Sequence, residues 1–373
     1  MNTSFVSTKV NHRIKRGFSF FALLAFLISA LPAMTNALTK NKPEGGFVPQ
    51  VRAKYLAFYG TNYSDWAVVN IPATAGQSIA WKILKNPADP TPGAARISIF
   101  NWGVSGDSVS PGSFTGDGTY DPNIFRPSTF ENWLGPWETN GTPFSVIKWG
   151  TTADNAARNG DYDGDGIMDY TQIRITNNRL AWWIRPSTNP SQARVVNFGA
   201  LAAGVSTFAF EGADFNGDGR DDLVIAQSVN ATGAVTWYIG DAVTGAQLGQ
   251  VNWGNFNVDF LINPADYTGD GKADFVVWRA GGAGGDAAKW YILNGATGTP
   301  AANSGIVFGI GDPTFTNNDT PVRGDYDGDG KADITVYRPG TATFYSLASS
   351  NGNLIVQQWG AVGDTPLGSF FIF

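Results

Sequence analysis

The chain of 373 residues has no cysteine, so it has no disulfides, no thiol nucleophile, no thiolate metal site and no lipidated cysteine. It has one histidine, His12, which lies in a basic and apolar leader. Once that leader is removed, zinc sites of the usual kind and Ser-His-Asp or Cys-His catalysis are excluded. Glutamate is scarce, with Glu44, Glu131, Glu138 and Glu211 against 31 acidic residues in all. A carboxylate-pair hydrolase therefore has few acids free to face each other across a cleft. No apolar run long enough to span a bilayer occurs after the leader.

The leader carries Arg13, Lys15 and Arg16, an apolar run from Phe18 to Ala33 and small residues up to Ala37. This is the layout of a secretory signal peptide over residues 1–37. A linker follows at 38–50, and residues 51–373 form one repeat domain in a secreted or periplasmic protein. Loss of Lys9, Arg13, Lys15 and Arg16 leaves 21 basic residues against 31 acidic ones, a net charge of −10. That balance argues against nucleic acid as a partner. A monomer without a membrane span is expected.

Glycine (46), proline (20) and a 13% aromatic share accompany short runs of Val, Thr, Phe and Trp between turn residues, the pattern of an all-β protein. A nine-residue acidic loop recurs: Asp161-Tyr-Asp163-Gly-Asp165-Gly-Ile167-Met-Asp169, Asp214-Phe-Asn216-Gly-Asp218-Gly-Arg220-Asp-Asp222, Asp266-Tyr-Thr268-Gly-Asp270-Gly-Lys272-Ala-Asp274 and Asp325-Tyr-Asp327-Gly-Asp329-Gly-Lys331-Ala-Asp333. Two decayed copies span 113–121 and 57–65. An aromatic-Gly pair keeps phase with the loops at Trp102-Gly103, Trp149-Gly150, Phe198-Gly199, Trp253-Gly254, Phe308-Gly309 and Trp359-Gly360. Between loop and pair lies an aromatic strand marked by Trp81, Trp133, Trp183, Trp237, Trp290 or Phe344.

Six units of roughly 50 residues, each reading as four strands, predict a β-propeller of about six four-stranded blades, with seven as the alternative. The terminal segment from Gly363 to Phe373 repeats the Asp319-Thr-Pro-Val segment that enters the last acidic loop, and then stops. It supplies the strand that completes the first blade and closes the ring.

Oxygen ligands at positions 1, 3 and 5 with intervening glycines suit a hard cation, and outside the cell that is Ca²⁺. About four ions are expected, held by the first, third and fifth residues of each loop, the seventh carbonyl (Ile167, Arg220, Lys272, Lys331) and the ninth Asp. The competing explanation is an Asp/Gly-rich turn fixed by side-chain to backbone hydrogen bonds. An EF-hand is excluded because its twelfth-position Glu is here Gln172, Ile225, Val277 or Val336. The loops at 161 and 325 offer four carboxylates and those at 214 and 266 three, so the first pair should bind more tightly.

The acidic loop, the aromatic-Gly pair and the repeat length resemble the FG-GAP/VCBS repeats of integrin-α-type propellers over roughly residues 50–373. The resemblance implies a propeller with calcium in its edge loops. The chain departs from it in having six units instead of seven and no Gly-Ala-Pro after the loop.

A binding or adhesion module for extracellular protein or glycan is the leading expectation. A lectin is the second, with Trp66, Trp137 and Trp182 as the less regular aromatics on which a sugar would stack. An extracellular hydrolase or lyase using carboxylates is the third, with no catalytic residue to nominate. Arg126, Arg174, Arg279 and Arg338, each five residues after a loop's last Asp, are read as structural and paired with the neighbouring blade.

Overall fold

The computed structural model describes residues 55–90, 97–135, 145–152, 154–282, 285–311 and 319–369. The expected leader, the linker and Trp137 lie outside them. Six antiparallel sheets of four strands each follow one another along the chain, which makes a six-bladed propeller and not a seven-bladed one.

The first blade holds β1 (Trp66–Asn70), β2 (Ser78–Leu84) and β3 (Ile97–Val104); the second β4 (Ser108–Val109), β5 (Asn123–Arg126), β6 (Glu131–Leu134) and β7 (Ser145–Lys148). The third holds β8 (Asp154–Ala157), β9 (Tyr170–Thr176), β10 (Arg179–Arg185) and β11 (Arg194–Ala200); the fourth β12 (Val205–Ala209), β13 (Leu223–Val229), β14 (Ala234–Gly240) and β15 (Gln247–Asn255). The fifth is β16 (Asp259–Ala265), β17 (Asp274–Arg279), β18 (Asp286–Leu293) and β19 (Ile306–Gly311); the sixth β20 (Thr320–Val322), β21 (Ile334–Arg338), β22 (Thr343–Leu347) and β23 (Leu354–Gln358). A last strand, β24 (Thr365–Pro366), pairs antiparallel with β1 through Val69 opposite Thr365 and Val68 opposite Pro366. It takes the innermost place of the first blade, as expected from its likeness to β20.

Burial explains the strand sequences. The second strand of a blade is covered on both faces by the adjoining sheets, so β17 and β21 read as nearly unbroken apolar runs. The outermost strand has one covered face at most, and β23 alternates exposed with half-buried residues. Cores form between blades rather than within them. Five apolar clusters join blades one with two, three with four, four with five, five with six and six with one. Each is anchored by a buried aromatic, and such a ring contributes on the order of 3 kcal/mol.

The marker aromatics need a correction. Trp81, Trp182, Trp237 and Trp290 are fully buried, and each indole Nε1 donates to the carbonyl of an aromatic-Gly pair: Trp102, Phe198, Trp253 and Phe308. In the third blade the marker is therefore Trp182, not Trp183. In the second blade Trp133 is likewise one residue out of phase, and Asn132 fills the buried position. Trp133 and Trp183 lie on the opposite face, because a shift of one residue changes the side of a strand. They carry the guanidinium groups of Arg126 and Arg174 at 4.7 and 3.9 Å.

With Asn132 where other blades have Trp or Phe, and Gln172 where they have Ile or Val, the contact between blades two and three has more polar side chains than the others, although Phe114 stacks on Tyr170 across it at 4.7 Å. Among the described residues it forms no apolar cluster, and the amide groups of Asn123, Asn132 and Gln172 are buried without hydrogen-bond partners. Such unpaired buried amides cost stability, and the seam is held in part by the Trp149 indole, which donates to the Trp183 carbonyl at 3.1 Å.

Closure is tested by truncation after Val362. Loss of β24 leaves the inner edge of β1 unpaired, so the shortened chain should melt cooperatively at a lower temperature and self-associate. A truncated monomer with the melting temperature of the full chain would show that the ring does not depend on this strand.

Candidate metal centre

Each acidic loop connects the innermost strand of a blade to the next one. The first Asp of all four loops accepts the amides of the glycines at positions 4 and 6. For Asp161 these are Gly164 at 2.7 Å and Gly166 at 2.9 Å; for Asp325, Gly328 at 2.7 Å and Gly330 at 2.8 Å. Both glycines have positive φ, 82° and 88° in the first loop and 78° and 96° in the last, where a side chain would be strained. The hydrogen bonds of an Asp/Gly turn are thus all made, and the turn's shape rests on them.

The ninth Asp is a staple. One of its oxygens accepts the amide of the second loop residue: Tyr162 to Asp169 at 3.0 Å, Phe215 to Asp222 at 2.9 Å, Tyr267 to Asp274 at 2.8 Å and Tyr326 to Asp333 at 2.6 Å. In three loops the other oxygen accepts an amide just beyond the blade's third strand, from Ser187, Gly295 or Ser349. The decayed copies retain the staple, with Phe114 donating to Asp121 at 2.8 Å and Asn86 to Asp65 at 3.0 Å. That explains why Asp65 and Asp121 persist where other acids are gone. Burial pushes the Asp65 carboxyl up to about 7 and that of Asp121 to about 6. The same desolvation raises Asp169 and Asp222 to about 8, Asp333 to about 7 and Asp274 to about 6.

Metal-ligating geometry appears in two loops. Oxygens of Asp161, Asp163 and Asp165 lie within 4.8 Å of one another, as do those of Asp325, Asp327 and Asp333. Twice a Ca–O distance of about 2.3–2.6 Å spans that separation, so one hard cation can touch all three groups, and the all-oxygen donor set fits it. In the other two loops the third position is Asn216 or Thr268. Asn216 Nδ2 donates to Asp222 at 3.2 Å, and Thr268 Oγ1 accepts from Asn294 at 2.9 Å. Asp214, Asp218 and Asp222, and likewise Asp266, Asp270 and Asp274, do not form such a cluster. Among the described residues, then, the two loops expected to be tighter are the two that gather three carboxylates.

The loops are joined into a belt. The amide at position 8 donates to the position 1 carbonyl of the preceding blade's loop: Tyr120 to Ala57 (3.0 Å), Met168 to Ser113 (2.7 Å), Asp221 to Asp161 (2.8 Å), Ala273 to Asp214 (2.8 Å), Ala332 to Asp266 (2.7 Å) and Ser64 to Asp325 (2.6 Å). All six contacts are made, the last across the ring closure. The seventh residue, expected to offer its carbonyl, also places its side chain on the preceding loop. A Cβ on Gly164, Gly217 or Gly269 would lie 2.8, 3.1 or 2.6 Å from Arg220, Lys272 or Lys331. Cationic residues at position 7 thus lie against a neighbouring acidic loop.

The repeated arginines pair within their own blade and not with the neighbouring one. Arg126, Arg174, Arg279 and Arg338 meet Asp107, Asp154, Asp259 and Asp319 on or beside the adjacent innermost strand. All four of these aspartates and Asp364 also accept an amide just after the preceding aromatic-Gly pair, at Val104, Thr151, Asn255, Ile310 and Ala361. The link to the neighbouring blade runs through the Asp. The signal was present in the sequence: Asp107, Asp154 and Asp364 each stand five residues after the aromatic of the pair. The fourth blade, which has Gln227 in place of Arg, bonds instead to Ala200 and Thr207.

Of the aromatics considered for sugar stacking, Trp66 and Trp182 are core residues, 1% and 0% exposed, and Trp137 lies outside the described residues. No Trp or Tyr among the described residues is classed as exposed.

The model of the FG-GAP-like repeat family matches residues 214–277. No curated protein is similar in sequence. Among solved structures, a chain in the crystal structure of a nidogen/laminin complex aligns at 11% identity over 78% of this chain and 92% of its own, with a TM-score of 0.37. Apo AztD from Citrobacter koseri aligns at 8% identity over 82% of this chain and 99% of its own, with a TM-score of 0.33.

The staples generate a pH dependence. Asp65 and Asp121 have folded-state values above the ordinary 3.8, so the folded chain binds protons that the unfolded one releases, and stability is lost as pH rises from about 4 through 7. Without divalent cations the melting temperature should climb as pH is lowered from 8 to 5.5, and Asp65→Asn should flatten the curve. A melting temperature that falls over that range would contradict the assignment.

The chain is a six-bladed β-propeller that carries FG-GAP-like repeat sequence from the acidic loop of its fourth blade to β17 of its fifth.

Proposed function

We propose that the protein is an exported, calcium-stabilised propeller that acts as a binding or adhesion module for an extracellular protein or glycan. The observation that carries this reading is the belt of six loops, of which two gather three carboxylates within 4.8 Å. Ca²⁺ held by Asp161, Asp163 and Asp165, or by Asp325, Asp327 and Asp333, neutralises charge that the fold concentrates there. The loops at 214 and 266 contribute weaker sites through Asp214, Asn216 and Asp218 and through Asp266, Thr268 and Asp270. About four ions would take the charge of the mature chain from −10 to about −2.

The leader supports export. No helix among the described residues is long and apolar enough to cross a membrane. A rigid ring whose connecting loops all emerge at its two faces is a platform for recognition, and with the metal in a structural role the ligand is met by those loops.

Titration of the chelator-treated protein with calcium should show about four sites in two affinity classes, and chelation should lower the melting temperature by linkage. Asp163→Ala and Asp327→Ala should each remove one of the tighter sites. Absence of calcium uptake ends the calcium reading. For the ligand, the calcium-loaded chain is applied to glycan and matrix-protein arrays. Saturable binding that Asp327→Ala retains at low temperature supports a binding module with structural calcium, and no binding on either array removes it.

A further inference from the structure

The innermost strands of all six blades surround a cavity on the propeller axis. Its volume is about 60 Å³, room for about four water-sized groups at roughly 15 Å³ each. Its polar wall is formed by Tyr55, Tyr120, Arg158, Glu211, Asn263 and Arg323. Apart from Tyr120, whose backbone amide makes one of the belt bonds, these residues play no part in the acidic belt.

Two guanidinium groups face one carboxylate. Arg323 donates to Glu211 Oε2 at 2.8 Å and to the Pro264 carbonyl at 3.3 Å, and its guanidinium lies 3.9 Å from the Tyr55 ring centroid. Its Nε is buried without a hydrogen-bond partner. Arg158 donates through Nε to the Ala209 carbonyl at 2.6 Å and through Nη1 to that of Ala157 at 2.7 Å. Among the described residues it has no ion-pair partner. Beyond the wall, Asp221 accepts the Asp161 amide at 2.7 Å. The wall therefore carries two guanidinium groups, that of Arg323 buried and that of Arg158 half-buried, against one carboxylate, Glu211, whose side chain is 34% exposed, and an anion joining them would balance the charge. Asn263, 6% exposed, turns a side-chain amide into the same space, with Oδ1 unpartnered.

We propose that the axial cavity binds a small monocarboxylate, of the size of formate or acetate, between Arg158 and Arg323. A planar guanidinium matches the two oxygens of a carboxylate, and about four heavy atoms fit the volume. The Tyr120 hydroxyl and Asn263 Nδ2 are the neutral donors on the wall, while the unpartnered Asn263 Oδ1 is an acceptor that needs a donor of its own, such as a water. The site is independent of calcium, since neither arginine touches an acidic loop's carboxylate. It gives the propeller a small-molecule site on its axis, apart from any partner met by its surface loops.

The test compares sodium acetate, sodium phosphate and sodium chloride at equal ionic strength on the calcium-loaded full chain, by calorimetry and thermal melting. Acetate should bind with a stoichiometry of one and raise the melting temperature above that in chloride. Arg158→Gln should weaken acetate at least about tenfold, as expected for a lost charged hydrogen bond. Asn263→Asp carries its own carboxylate into the cavity. It should raise the melting temperature in chloride and abolish the response to acetate, which keeps the proposal testable if Arg158→Gln does not fold. Acetate acting no differently from chloride overturns the proposal, as does an unchanged acetate response in either variant. A response to phosphate alone replaces the carboxylate by an inorganic oxyanion and overturns the assignment as stated.

Discussion

The six hydrogen bonds from a position 8 amide to the position 1 carbonyl of the preceding loop are the contact on which the rest of the ring depends. Apolar clusters join five of the six blade contacts, and the belt adds a hydrogen bond of fixed register at every one. Four of the loops are stiffened internally by their first Asp and all six are held by their ninth, so a bond between two loops sets the position of two whole sheets. The belt is also complete where packing is poor. Between blades two and three, where Asn132 and Gln172 replace apolar residues, the bond from Met168 to Ser113 at 2.7 Å is still made.

The arrangement has an electrostatic cost. It brings carboxylates to one end of the ring and buries the stapling ones, and desolvation lifts the carboxyls of Asp169 and Asp222 to about 8. Two features offset this within the chain: hydrogen bonds from loop amides, and the position 7 side chains of Arg220, Lys272 and Lys331 lying on the preceding loop. A cation in the better-clustered loops offsets it further. The division of labour along the nine residues follows from this. Positions 4 and 6 give the turn its backbone, position 9 holds it, and position 1 both braces the turn and joins the carboxylates that gather where an ion is met. A copy can lose its first Asp and the acid at position 3 and still serve the belt, as the loops with Ala57 and Tyr59 and with Ser113 and Thr115 do.

Much of this was legible in the sequence, because repetition multiplies weak signals. The blade number, the four strands per blade, the closing role of Thr365 and Pro366 and the two loops richest in carboxylates all follow from aligned copies. What escaped was whatever differed between copies by a single residue. Trp133 and Trp183 were matched to Trp81 by type, although Asn132 and Trp182 occupy the buried face; the adjacent Trp182 and Trp183 conceal the shift. The partner of each repeated Arg was sought on the neighbouring blade because it is distant in sequence, yet the recurring Asp after the aromatic-Gly pair was there to be found. The axial cavity had no repeat signal at all. Arg158, Glu211, Asn263 and Arg323 come from different blades and differ in type, so only closure of the ring brings them together.

The belt is tested most directly by amide hydrogen exchange at Ser64, Tyr120, Met168, Asp221, Ala273 and Ala332, followed in calcium and in chelator. If these bonds hold the ring, the six amides should exchange together, at the rate of global unfolding in calcium and faster as a set in chelator. Six unrelated rates, or fast exchange of most of the set while the strands stay protected, would show that the belt does not hold the ring and that packing and the other bonds between blades do.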